Sequence, residues 1–142
     1  MFASLDPNLR APIAIALGAI PGALCRYYLT VGLAKWLGEN FPYGTMFVNL
    51  SGSFLMGFII TLALERALIS PDLRLFLAVG FLGSYTTFST YTLDNDLFLR
   101  SGNWGMGLFY SLGSLIFGVI GLELGSFLAR KLFQACNFSS IN

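Results

Sequence analysis

The chain has 142 residues, 56% of them hydrophobic and only 11% charged, with a mean hydropathy of +0.73. Such a balance is far from that of a soluble domain and suits a chain that folds in lipid. A net charge of +1 argues against nucleic acid as a partner, and the absence of histidine removes the commonest acid–base and metal-binding side chain.

The length fits one domain, residues 1–142, with no room for a soluble domain beside the membrane part. Cys25 and Cys136 stand far apart without CxxC spacing, which argues against a disulfide framework or thiolate metal site. The first residues include Asp6 and lack a basic segment followed by a cleavable apolar core. The first span is therefore expected to be retained.

Four spans are predicted, near residues 12–33, 44–64, 75–93 and 104–128. Each is about the 20 residues that a helix needs to cross roughly 30 Å of hydrocarbon. The first is interrupted by Arg26. The second follows Pro42 and closes at Glu65 and Arg66; it holds no charge, yet Thr45, Asn49, Ser53, Gly57 and Thr61 recur every fourth residue. That spacing makes one slowly drifting stripe on a helix. Small residues alone would serve helix packing, but an amide at Asn49 is not needed for close approach, so this stripe points to function.

The third span opens with Ser70 as a cap, Pro71 at the first helical position and Asp72 complementing the dipole. Its middle, Gly80–Phe81–Leu82–Gly83–Ser84–Tyr85–Thr86–Thr87, is the poorest helix former among the spans. Two readings stand side by side. The helix breaks there and its freed carbonyls face a cation, or it continues and its hydroxyls bond back to carbonyls one turn earlier. The fourth span, between Arg100 and Arg130, carries a stripe of Gly107, Tyr110, Ser111, Ser114, Gly118, Gly121 and Gly125. Close packing and polar lining explain it equally well.

Short loops predict that successive helices pack antiparallel. With four spans both termini share a side. That side carries Arg10, Arg66, Arg74, Arg130 and Lys131, against Lys35, Arg100 and Arg26 on the other. Five to three favours the termini inside, but so small a bias is also what dual insertion would show.

Absences narrow the function. No carboxylate or histidine is expected mid-span, so the proton relay of a small coupled exporter is missing. No phosphate-binding loop, nucleophile–base pair or metal-ligand cluster occurs, so the chain does not read as an enzyme. Neutral donors remain: Asn, Ser and Thr offer hydrogen bonds without charge. Phe88 and Tyr91, three apart on one helical face, can present positive ring edges. With Arg26 toward one boundary, this lining suits a partly dehydrated small anion.

Three blocks carry a resemblance: Gly22–Ala23–Leu24–Cys25–Arg26–Tyr27; Pro42–Tyr43–Gly44–Thr45 with Val48–Asn49 and Gly52–Ser53–Phe54; and Gly80–Phe81–Leu82–Gly83–Ser84–Tyr85–Thr86–Thr87–Phe88–Ser89–Thr90. Together they resemble the CrcB/Fluc fluoride channels over nearly the whole chain. The resemblance implies an all-α membrane protein of four helices, the third broken near the midplane, assembling as an antiparallel dimer. It implies passive, fluoride-selective export of cytoplasmic fluoride across the plasma membrane, with a structural sodium ion at the dimer centre. Fluoride, the lipid bilayer and a second identical or homologous chain are then the partners. By motif, Asn49, Phe88, Tyr91, Tyr110 and Ser114 would line the fluoride path beside Thr45, Ser89 and Thr90. Arg26 would charge the vestibule, and Gly83 and Thr86 would give carbonyls to sodium. Two positions depart from the family pattern: Tyr91 stands where Phe is usual, and Gly118 where a hydroxyl is common. A non-conducting assembly subunit is favoured only if these two departures spoil the pore.

Overall fold

The computed structural model describes residues 6–139, with the side chains of Pro7 and residues 133–139 excepted. Cys136 and any pairing of its thiol lie outside the described side chains, and Cys25 is exposed. Every regular element among the described residues is helical.

Helix α1 (Pro7–Leu37) starts where the Asp6 carboxylate accepts from the Asn8 N–H at 2.8 Å, with proline in its first turn. It ends at Gly38, whose φ of 88° turns the chain out of the helix. Helix α2 (Tyr43–Ile60) follows Pro42 and runs on as a π-helical stretch, Thr61–Glu65. Ser70 caps the short α3 (Pro71–Arg74), as its sequence predicts, by accepting from the Leu73 N–H at 3.3 Å. From there a π-helical segment, Leu75–Leu82, leads into α4 (Gly83–Tyr85).

The helix then stops. Thr86 and Thr87 are extended, at φ −83°, ψ 156° and φ −148°, ψ 113°. Helix α5 (Phe88–Arg100) restarts with the Thr87 hydroxyl accepting from the Thr90 N–H at 3.2 Å, and α6 (Trp104–Ser139) is the last element among the described residues. Of the two readings of residues 80–87, the broken helix is the observed one. Back-bonding also occurs, without mending the break: the Thr86 hydroxyl donates to the Leu82 carbonyl at 3.0 Å.

Among the described residues, three helices are long and apolar enough to cross a membrane: Asn8–Leu37, Tyr43–Glu65 and Trp104–Leu132. The expected third span differs because the break divides it into two shorter helical stretches.

Antiparallel packing of successive helices does not by itself say which pairs lie closest. Successive helices are not the main partners; α2 lies along α6, and α1 along the π-helical stretch before the break. Both pairs run parallel, since Gly57 meets Leu122 while Gly125 meets Phe54 and Phe58, and Gly18 and Gly22 meet Phe76 and Phe81. Missing side chains are the reason. A Cβ on Gly57 would overlap the Leu122 carbonyl, and one on Gly125 the Phe54 carbonyl. Part of the fourth-span stripe therefore serves helix contact, which in lipid rests on such close approach. Ion pairs tie the same partners near one end: Arg10 to Asp72 at 2.6 Å, and Arg130 to both oxygens of Glu65 at 2.8 and 2.6 Å.

Val48, Leu82 and Tyr85 form a buried cluster, with Met56, Ile59 and Phe81 packed against it. Outward, α6 presents Leu108, Leu112, Leu115, Ile116 and Val119, an apolar face suited to lipid or a second subunit. Trp36 and Trp104, both exposed, mark the end of the bundle away from the termini, as interfacial aromatics do.

The parallel α2–α6 contact makes a direct prediction. Gly57→Ala should force the helices apart and destabilise the protein by about 1–3 kcal/mol, the usual range for overpacking. Gly32→Ala, where a Cβ meets nothing within 4 Å, should be neutral or slightly stabilising. Thermal unfolding in detergent measures both, and equal effects would contradict the packing.

Candidate ion pathway

The break is held from α2. Asn49 faces Thr87, accepting its backbone N–H at 2.8 Å and donating its amide to the Thr87 carbonyl at 3.1 Å. One side chain thus satisfies both backbone groups of a residue that has left the helix. The approach is possible because Gly52 lies one turn on: a Cβ there would overlap the Thr86 methyl. Asn49 keeps a second amide N–H with no partner among the described residues.

The same exchange strips α4 of its ordinary partners. In a continuous helix the Gly83 carbonyl would accept from the Thr87 N–H, which goes instead to Asn49. The Ser84 carbonyl accepts from Arg26 Nε at 3.0 Å. Arg26 therefore braces the C-terminal end of α4, where a cation is favourable, in addition to carrying charge. Tyr85, buried, shares a hydrogen bond with Ser51 at 2.9 Å.

Beside the break lies a cavity of about 360 Å³ lined by Asn49, Ser53, Thr86, Phe88, Tyr91 and Ser114, among others. Four residues expected on the path, Asn49, Phe88, Tyr91 and Ser114, meet here. Ser114 Oγ is buried with no hydrogen-bond partner among the described residues. A buried hydroxyl left without a partner inside a cavity is ready for a ligand or water. The rings of Phe88 and Tyr91 lie 5.6 Å apart at 31°. Tyr91 directs its hydroxyl to the Ser111 carbonyl at 3.3 Å, while the Asn95 amide donates to the Tyr91 carbonyl at 2.9 Å. The added hydroxyl thus links α5 to α6. Gly118 has Ser53 Oγ as its nearest neighbour, 3.7 Å from where a Cβ would sit.

Tyr110 is fully buried. Its ring lies 5.3 Å from Tyr91, and its hydroxyl donates to Asp94 at 3.2 Å. Beyond it opens a second cavity, of about 620 Å³, lined by Thr45, Asp94, Phe41, Phe98, Asn40 and Glu39, among others. Thr45 belongs to this cavity rather than the first. Ser89 and Thr90 are not among the residues lining either one. Both bond to the Thr87 hydroxyl, at 3.2 and 3.0 Å, and so belong to the start of α5.

The sequence reading missed Asp94. Measured along one unbroken span it is a boundary residue, but α5 begins afresh at Phe88, which puts Asp94 in the body of a helix and in a cavity wall. The expectation of no carboxylate mid-span is unchanged, since Asp94 follows the predicted third span, residues 75–93, but a carboxylate does stand in a cavity wall. The available signal was the break itself: once Thr86–Thr87 is read as a restart, Asp94 falls on the second turn of α5.

The Asn49–Thr87 pairing generates a prediction. Asn49→Asp keeps an acceptor for the Thr87 N–H but sets a carboxylate oxygen against the Thr87 carbonyl. Leaving such a group unpaired costs roughly 1–3 kcal/mol. The break should loosen, seen as faster proteolysis between α4 and α5 in the variant. Parent-like resistance would contradict the clamp.

Comparison with known proteins agrees with this arrangement. The family model described as "CrcB-like protein, Camphor Resistance (CrcB)" matches residues 13–126. A protein of Synechocystis sp. named "Fluoride-specific ion channel FluC" is 58% identical over 128 residues, covering 90% of this chain and 98% of its own. Proteins of the same name from Synechococcus sp. and Trichormus variabilis are 53% and 54% identical, each over 126 residues, covering 89% and 88% of this chain and 97% and 92% of theirs. With its membrane-length helices and a match over most of its length, the chain belongs to the CrcB family, a family of multi-pass membrane ion channels and not of enzymes.

Proposed function

We propose that this chain is a fluoride channel that lets cytoplasmic fluoride leave passively across the plasma membrane and so reduces its toxicity. The observation that carries the reading is the cavity at the break. It combines an unpartnered buried Ser114 hydroxyl, the second N–H of Asn49 and the paired rings of Phe88 and Tyr91. Each offers a neutral donor or a positive ring edge, and none brings a negative charge. A small anion that accepts hydrogen bonds strongly is the fitting occupant. The shared name of the similar proteins supports the same choice.

The two short halves around Thr86–Thr87 together supply a fourth, broken crossing of a single membrane domain. One chain leaves its path open at the side: Phe88 is 76% exposed and Leu115, in the same cavity wall, 64%. A second copy, or a homologous chain, inserted in the opposite orientation would close that wall. The small charge bias suits dual insertion.

At the centre of such a dimer the carbonyls of Gly83 and Thr86 would hold a sodium ion. The donor set fits. The Gly83 carbonyl has lost the Thr87 N–H to Asn49, the extended ψ of Thr86 turns its carbonyl out of the helix, and hard cations take backbone oxygens at broken helices. Among the described residues no cluster of His, Cys, Asp or Glu competes for this role. The ion would supply positive charge that joins the ends of the two half-helices.

Purified protein in fluoride-loaded liposomes should release fluoride only when a potassium ionophore relieves the voltage. Uphill accumulation driven by a pH gradient alone, dependent on the protein and beyond HF leak, would contradict a channel. In the same assay Phe88→Ile removes the ring at similar bulk and should cut efflux sharply while the dimer persists. Parent-level efflux in that variant would remove the ring edges from the mechanism.

A further inference from the structure

Tyr110 lines neither cavity, but its ring touches lining residues of both, and one of these comes from a loop. The Tyr110 ring is fully buried, met from the first cavity by Tyr91 at 5.3 Å and from the second by Phe41 at 5.5 Å and Phe98 at 6.1 Å. Phe41 comes from the turn between α1 and α2, where Gly38 at φ 88° and the Tyr43 N–H bonded to the Phe41 carbonyl fold the chain inward. Although it sits in a loop, Phe41 is only 9% exposed, and its ring also meets Tyr43, Phe98 and Phe109. A large apolar side chain driven that far in from a polar turn is there for what it touches.

We propose that Phe41 is a positioning residue of the ion path: its ring sets the tilt of Tyr110 and keeps the Tyr110 hydroxyl on Asp94, fixing the ring that touches lining residues of both cavities. The contact is edge-to-face, at 85°, the arrangement that sets a positive ring edge against a negative face. Tyr91 also packs on the Tyr110 ring, at 5.3 Å, and from this position the Tyr110 hydroxyl reaches Asp94 at 3.2 Å. Without the Phe41 ring the Tyr110 ring gains room to tilt, and the hydroxyl leaves the carboxylate. Phe41 itself lines only the second cavity, so it acts on the first through Tyr110.

The flux part of this proposal rests on the fluoride-channel reading; the positioning part does not, and two measurements separate them. The first is NMR of protein labelled with ¹³C in its tyrosine rings, with the Tyr110 signal identified by its loss in Tyr110→Phe. A single narrow signal is expected in the parent, and a broadened or doubled one in Phe41→Leu. An unchanged Tyr110 signal in Phe41→Leu overturns the proposal.

The second is fluoride efflux from liposomes. Phe41→Leu is expected to lower it about tenfold, the worth of one good aromatic contact. In a Tyr110→Phe background, where there is no hydroxyl to hold, it should lower efflux no further. Losses that multiply in the double variant would show that Phe41 acts independently of Tyr110 and overturn the proposal, as would parent-level efflux in Phe41→Leu. Should Phe41→Leu fail to assemble, Phe41→Met keeps the bulk without a ring edge and takes its place in both measurements. Absence of fluoride flux in the parent chain would defeat the channel reading, while the NMR signal would still decide the positioning of Tyr110.

Discussion

The pairing of one amide with one residue's backbone organises the centre of this protein. Asn49 takes both the N–H and the C=O of Thr87, and three consequences follow from that single contact. The helix can stop at Tyr85 without an unpaired backbone group at Thr87, which lipid would not tolerate. The Gly83 carbonyl loses the Thr87 N–H that a continuous helix would give it. And α5 restarts at Phe88, which turns Phe88 and Tyr91 into one cavity and Asp94 into the other. A continuous helix would carry the same residues at angles that serve none of these purposes.

The clamp works only because the helices are close. Asn49 rides on α2, and α2 is fixed by its parallel contact with α6, where Gly57, Gly121 and Gly125 let backbone meet backbone. Likewise Gly18 and Gly22 bring α1 against the stretch before the break, close enough for Arg26 to reach the Ser84 carbonyl. The small residues and the polar residues are thus two halves of one device. Glycines set distances, and the polar side chains spend the proximity on backbone groups that have left the helix.

Much of this was legible in the sequence. Apolar runs with hydroxyls and an amide inside them announced membrane helices with something to line, and the Gly, Ser and Thr content of residues 80–87 announced a weak point. The cap at Ser70 and the stripe on the fourth span were readable too. Other features were not. Periodicity shows which face of a helix is small but not which helix it will meet, so the parallel α2–α6 pairing could not be had from loop lengths. The two π-helical stretches, Thr61–Glu65 and Leu75–Leu82, leave no compositional mark. Phe41 is one of 14 phenylalanines, and its burial comes from the turn at Gly38 rather than from any apolar pattern. Ser89 and Thr90, which the motif sets beside the path, bond to the Thr87 hydroxyl at the start of α5, a contact that no spacing announces. Hydroxyls beside a helix restart have local backbone work to do before any ligand arrives.

The clamp is tested most directly by residue-resolved amide hydrogen exchange at Thr87. With its N–H held by Asn49 at 2.8 Å, Thr87 should exchange slowly in the parent chain although it lies outside any helix. In Asn49→Ala its exchange should speed up by about twofold to tenfold, as loss of one hydrogen bond of typical strength implies. The Thr86 amide, bonded to the Leu82 carbonyl at 3.0 Å, should change far less. Fast exchange at Thr87 in the parent, or equal acceleration at Thr86 and Thr87 in the variant, would contradict the clamp and the broken helix built on it.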